Sequence, residues 1–215
     1  PCPKSPAREP WTKSRIKGSP EPPKPYIAER VFPNLKIRDG LEMIALDGRL
    51  FVMTRQGKVW SFVEKAIDPE LNLFIDLKQL HPKTGNAYGL VFHPKWKTNS
   101  QVFLAYTRAG DQEAGTRLSR FKFTLKNGPP RILPNTEELL LTWRSGGHNG
   151  ANLQFGPDGM LYVSTGDATA PNPPDGLNTG QDNSDLLAAV LRIDVNHADK
   201  GKAYRVPSDN PYVGR

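Results

Sequence analysis

Cysteine is almost absent from this sequence. Its single thiol, Cys2, rules out an internal disulfide framework and any CxxC metal site, and leaves the redox compartment open. Apolar runs of membrane-spanning length are missing. There is no initiating methionine either: the chain begins Pro-Cys-Pro-Lys, so any export signal is expected to have been removed or to lie outside this segment. Four motifs are absent on inspection, namely a GxSxG elbow, a GxxxxGK phosphate loop, an HExxH zinc helix and a GxGxxG turn after a strand. Hydrolase and nucleotide-binding readings lose their main support with them. A sustained helical period is lacking too, the exception being a short one in SDLLAAVLRI.

Charge is present, but it is lopsided. The formal net charge of +7 invites a nucleic-acid reading, yet residues 1–40 hold nine Lys or Arg against four acids, while residues 41–215 hold twenty against eighteen. The folded part is therefore close to neutral, and no aromatic-plus-basic stripe accompanies the excess. The same leader holds nine of the 21 prolines within residues 1–34. Fixed backbone angles and missing amide donors oppose both helix and sheet there, so residues 1–25 are expected to form a Pro-rich basic arm or linker, with its charge serving solvation.

From Tyr26 onward the pattern is β. YIAERVF alternates, and three later segments repeat one template of an apolar strand, a tight turn, a second strand and a third strand. The first copy runs LEMIAL, LFVMTR, VWSFV; the second AYGLVFHP, QVFLAYT, RLSRFKFTL; the third ANLQFGP, MLYVSTGD, AAVLRIDV. Asp47-Gly48 and Asp158-Gly159 supply the hairpin turns, where two residues at positive φ match the strand twist. The copies recur every ~50 to 60 residues with their loops, the range of β-propeller blades. The sequence thus predicts an all-β domain over residues 26–215, a partial β-propeller of about three blades. The stretch SDLLAAVLRI is assigned to the third strand of the last copy. Three blades leave two bare sheet edges, and the chain stops in SDNPYVGR, so a longer polypeptide is expected.

The chemistry-bearing residues are few. His148 stands in RSGGHNGAN among Gly146, Gly147, Gly150 and Ala151, which would let a ligand approach its ring and the adjacent backbone. The alternative is a loop histidine that bonds a turn carbonyl. His93, in a His-Pro pair, reads as a strand terminator, and His81 and His197 read as solvent-facing, without partners at ligand spacing. The loop after Asp167 offers Asp167, Asp175, Asn178, Gln181, Asp182 and Asp185 as oxygen donors, but their spacing matches no calcium loop. A solvated loop is the default, although loops of such length commonly bind something.

Read together, NAYGLVFHPKWKTNSQVFLAYT, GGHNGANLQFGPDGMLYVSTGD and LLAAVLRIDV with YRVPSDNPYVG resemble the glucose/sorbosone dehydrogenase family of soluble quinoproteins. The resemblance implies a six-bladed propeller that binds pyrroloquinoline quinone over its axis, with calcium, and oxidises aldoses or related polyols. It also implies a periplasmic or extracellular location and an external electron acceptor, in the larger bacterial versions a cytochrome c module. His148 matches the histidine that takes the sugar's hydroxyl proton in that family. Two positions depart from it: Gly147 stands where an aspartate is expected, and Thr84 where a glutamine is. The calcium ligands and most cofactor-binding groups are expected beyond Arg215. Propellers of this type also serve as non-catalytic extracellular recognition domains, which is the alternative reading.

Overall fold

The computed structural model describes residues 29–213. The chain divides into a first unit, Pro1–Pro33, and a second, Asn34–Arg215. The expected arm over residues 1–25 lies outside the described residues, as does the start of YIAERVF. Its described end, residues 29–32, is not strand. Among the described residues every regular element belongs to the second unit.

Three antiparallel sheets follow one another, each a meander in chain order. The first holds β1 (Gly40–Leu46), β2 (Arg49–Thr54), β3 (Lys58–Val63) and β4 (Asn72–Asp76). The second holds β5 (Thr84–Phe92), β6 (Gln101–Arg108), β7 (Thr116–Thr124) and β8 (Arg131–Trp143). The third holds β9 (Gly150–Phe155), β10 (Leu161–Thr165) and β11 (Val190–Ile193). Two single-turn helices, α1 (Leu77–Leu80) and α2 (Trp96–Asn99), sit in the connections. The first strands of the sheets, β1, β5 and β9, are neighbours. At Gly89 of β5 a Cβ would lie 2.2 Å from the Ala151 carbonyl oxygen of β9, so only a glycine lets these inner strands come so close. The sheets are three consecutive blades of a β-propeller.

The template is one strand short in the first two blades. β4 has only two buried residues, and β8 carries Pro134 and the polar run Asn135 to Glu138, which breaks the apolar alternation. Proline is tolerated because β8 is an edge strand, and the β7–β8 ladder shifts register between Arg120 and Lys122. In the third blade SDLLAAVLRI yields strand only from Val190.

The core is built by alternation in β6. Its even positions Val102, Leu104 and Tyr106 join Phe51, Met53, Phe74 and Phe92 in the cluster between the first two blades. Its odd positions Phe103 and Ala105 join Leu153, Leu161 and Val163 in the cluster between the second and third. A strand covered on both faces in this way loses the polar half of the period-2 pattern, and six of its eight residues are buried. The outer faces remain open: Val190 on β11 is 70% exposed.

Antiparallel pairing sorts the connections between two ends. Turns 47–48, 93–100 and 156–160 fall at one end, and loops 55–57, 109–115, 144–149 and 166–189 at the other. Asp47 and Gly48 both take positive φ, 51° and 72°, as the hairpin rule requires. The second Asp-Gly turn differs, since Gly159 alone has positive φ. It is a five-residue loop in which Asp158 accepts the Met160 amide and bonds Tyr162 and Arg192.

Candidate functional site

His148 sits in the loop between β8 and β9, and its ring is held from the opposite loop. Nδ1 lies 3.2 Å from Asp167 Oδ1, just after β10. This meeting follows from strand register: Thr165, at the end of β10, pairs with Gly150, at the start of β9. The backbones are also joined, since His148 N donates to the Thr169 carbonyl at 3.0 Å and Ala168 N to the His148 carbonyl at 2.9 Å. The imidazole remains 48% exposed, while Asp167 is 14% exposed. Asp167 accepts the Thr169 and Asp175 amides at 2.9 and 3.0 Å. Those bonds, the Thr169 amide foremost, hold its carboxyl below the usual carboxylate range. A carboxylate can only accept, so in the neutral ring Nδ1 is the protonated nitrogen and Nε2 the one left to accept.

The glycines before His148 also have a packing role. A Cβ at Gly146 would lie 1.6 Å from the Ala168 carbonyl oxygen, and one at Gly147 2.2 Å from that of Thr169. They admit the loop after β10, and both also line the cleft described below. The aspartate expected at position 147 has no room here, and the carboxylate that contacts the imidazole comes from Asp167 instead. Asn149, which sequence reasoning passes over, locks the turn. Buried, it accepts the Gly146 amide at 2.8 Å and donates to the Gly146 carbonyl and the Tyr88 hydroxyl at 2.9 and 3.1 Å.

The other candidates are spent on structure. Asp175 accepts the Thr179 and Gly180 amides, Asp182 that of Ser184, and Asp185 that of Leu187. These carboxylates cap the turns of their own loop, and among the described residues no group of three or more His, Cys, Asp or Glu is placed to hold a metal. Thr84 is buried, with its hydroxyl donating to the Leu77 and His81 carbonyls, so it does not stand in for the expected glutamine. His93 is buried, bonding Asn196 through Nε2 and the Lys95 amide through Nδ1, a structural role. His81, expected to face solvent, is largely covered and pairs with Glu137 at 2.6 Å; His197 does face solvent, 60% exposed, with Asp194 three residues back at 2.7 Å. Glu137 also accepts the buried Tyr106 and Ser119 hydroxyls, and long-range pairings of this kind leave no trace in local sequence.

A cleft of about 450 Å³ opens at the same end, with Gly147 and Asn149, the residues flanking His148, in its wall. Arg55, Arg108, Asn86, Tyr88, Thr107, Gln112 and Ser145 complete most of the rest, and no carboxylate lines it.

The model of the glucose/sorbosone dehydrogenase family matches residues 38–215, and the chain belongs to that family. Among curated proteins it is 30% identical to the Hedgehog-interacting protein of Mus musculus over 186 residues, 76% of this chain and 25% of that one. The PQQ-bound aldose sugar dehydrogenase of Streptomyces coelicolor superposes with a TM-score of 0.61 at 22% identity, over 78% of this chain and 47% of that one. A putative oxidoreductase (glucose dehydrogenase) of Thermus thermophilus gives 0.59 at 24% identity, over 87% and 50%. At these identities the structures show the fold alone. The chain spans a quarter of the length of the first relative and about half of each dehydrogenase.

The donor set fits one of the two groups that the family implies. Unpaired guanidinium groups in a cleft without carboxylates suit an anionic quinone in part. For calcium, no group of three or more His, Cys, Asp or Glu stands together among the described residues.

Proposed function

We propose that this chain is part of a quinone-dependent sugar dehydrogenase in which His148 is the general base. The Nε2 lone pair takes the hydroxyl proton of an aldose or polyol, and Asp167 holds the ring in the required tautomer and stabilises the imidazolium that forms. A deprotonated hydroxyl releases hydride from its carbon more readily. Bound pyrroloquinoline quinone would supply the hydride acceptor. Electrons would then pass to an external acceptor such as a cytochrome c module, in a periplasmic or extracellular setting. No helix among the described residues is long and apolar enough to cross a membrane. The observation that carries this reading is the oriented, accessible imidazole of the His148–Asp167 pair at the loop end.

The test is dye reduction by the intact protein, reconstituted with the quinone and calcium, over a panel of aldoses. His148→Ala is expected to lower kcat by ~10²–10⁴ with little change in KM. An equal loss expressed in binding alone contradicts the general-base role. Absence of both turnover and quinone binding favours the second reading, a recognition propeller. That reading draws on the likeness to a protein named for interaction and on the missing aspartate and glutamine at Gly147 and Thr84.

A further inference from the structure

The two cations of the cleft stand out against the other arginines near it. Arg117 has Asp111 within 3.9 Å and Arg144 has Glu113 at 2.6 Å, whereas the guanidinium groups of Arg55 and Arg108 have no partner among the described residues. Their backbones are nevertheless pinned. Arg55 donates to the Asp39 carbonyl and accepts the Ala87 amide, both at 2.9 Å, and Arg108 donates to the Gly115 carbonyl at 2.7 Å. Gln112, in the same wall, is fixed through its carbonyl by the Ser145 amide at 2.7 Å. Two fixed points on separate blades therefore place at one cavity two arginines whose guanidinium groups have no partner among the described residues, along with the neutral donors Asn86, Tyr88 and Asn149. A cavity of this volume takes a monosaccharide, and a planar fork matches a carboxylate in bidentate fashion. Two cations lining one cavity without a carboxylate favour an anion there.

We infer that this cleft binds the carboxylate of an acidic sugar, with Arg55 and Arg108 as the residues that select a uronic or aldonic acid over a neutral aldose. The inference rests on the sugar-dehydrogenase reading for the idea that the ligand is a sugar, but its test needs no turnover. Carboxylates could also come from the quinone itself, so the experiment separates the two sources.

Isothermal titration of the intact protein, free of cofactor, with glucuronate, glucose, glucose 6-phosphate and pyrroloquinoline quinone provides the arms. Glucuronate is expected to bind at least about tenfold more tightly than glucose, and Arg55→Gln or Arg108→Gln to remove most of that preference. Affinity should fall as salt rises from ~50 to ~300 mM. Arg55→Lys, which keeps the charge but not the fork, should retain only part of it. Equal binding of glucose and glucuronate overturns the proposal, and so does a preference for the sugar phosphate. If the arginine substitutions weaken the quinone and leave glucuronate unchanged, the cleft holds the cofactor's carboxylates and the substrate assignment fails. Failure of the oxidoreductase reading would show as no dye reduction with any sugar, whatever the titrations give.

Discussion

The two ends of the blades are made from the same strands and differ in almost everything else. At the turn end arginines tie neighbouring segments together: Arg192 bonds Asp158 and Asp209, and Arg120 bonds Glu138 and the Val195 carbonyl. The loop end carries the longest connection, 166–189, backbone packs directly on backbone around Gly146, Gly147 and Gly166, and beside the ion-paired Arg117 and Arg144 two guanidinium groups are left without partners among the described residues. The turn end needs only to reverse the chain, so local rules suffice there. The loop end has to hold an imidazole, a carboxylate and an open cleft in one place, which requires contacts that are far apart in sequence. Function is therefore read at the end where the fit between segments is tightest.

The most direct way to break this contrast is Gly146→Ala. Its Cβ would meet a backbone carbonyl, which cannot rotate away as a side chain could, so the loop after β10 must move and carry Asp167 from His148. A loss of about 3 kcal/mol is expected, at the upper end of overpacking costs. It would be read from the urea midpoint, together with a fall in any activity that depends on the His148–Asp167 pair. Full stability and an unchanged pair would show that the close packing is not required.

The contrast also explains what is legible in the sequence. Alternation exposes nine of the eleven strands, and the Asp47-Gly48 turn follows from residue type alone. β8 escapes because Pro134 and its polar neighbours interrupt the pattern at an edge, where burial does not enforce it. At the site, His148 can be singled out as a residue, but its partner cannot. Asp167 reads as one oxygen donor among several, and only strand counting places the end of β10 beside the start of β9. The packing role of the glycines is hidden for the same reason. Small residues beside a histidine admit either a ligand or another stretch of backbone, and composition does not distinguish them.

Acid should loosen the loop end through the carboxylates that organise it. The carboxyls of Asp167 and Asp175 are held below the ordinary value, chiefly by the Thr169 amide in the first case and the Thr179 amide in the second. A carboxylate whose folded pKa is depressed adds stability above its unfolded value, about 3.9 for aspartate, and that contribution is lost as pH falls through the folded value. Amide exchange at Thr169, Asp175, Thr179 and Gly180 should therefore stay slow from neutral pH down to about 4 and accelerate only below it. Early acceleration, between about pH 6 and 5, would mean that these carboxylates do not organise the loop.

The mildest effect belongs to the turn end, at Gly159. Its φ of 75° lies in the left-handed region, but a Cβ there would meet nothing within 4 Å. Gly159→Ala therefore costs the conformational penalty alone, about 1 kcal/mol, seen as a lower urea midpoint with unchanged slope. Sugar oxidation and glucuronate binding should be untouched, because residues 156–160 lie at the opposite end from His148 and Arg108. The two alanines place the same methyl group on glycines at either end of β9, and differ in whether backbone or solvent waits for it. If Gly159→Ala proved the more damaging, steric fit would not be what separates the ends, and the loop-end glycines would need another explanation.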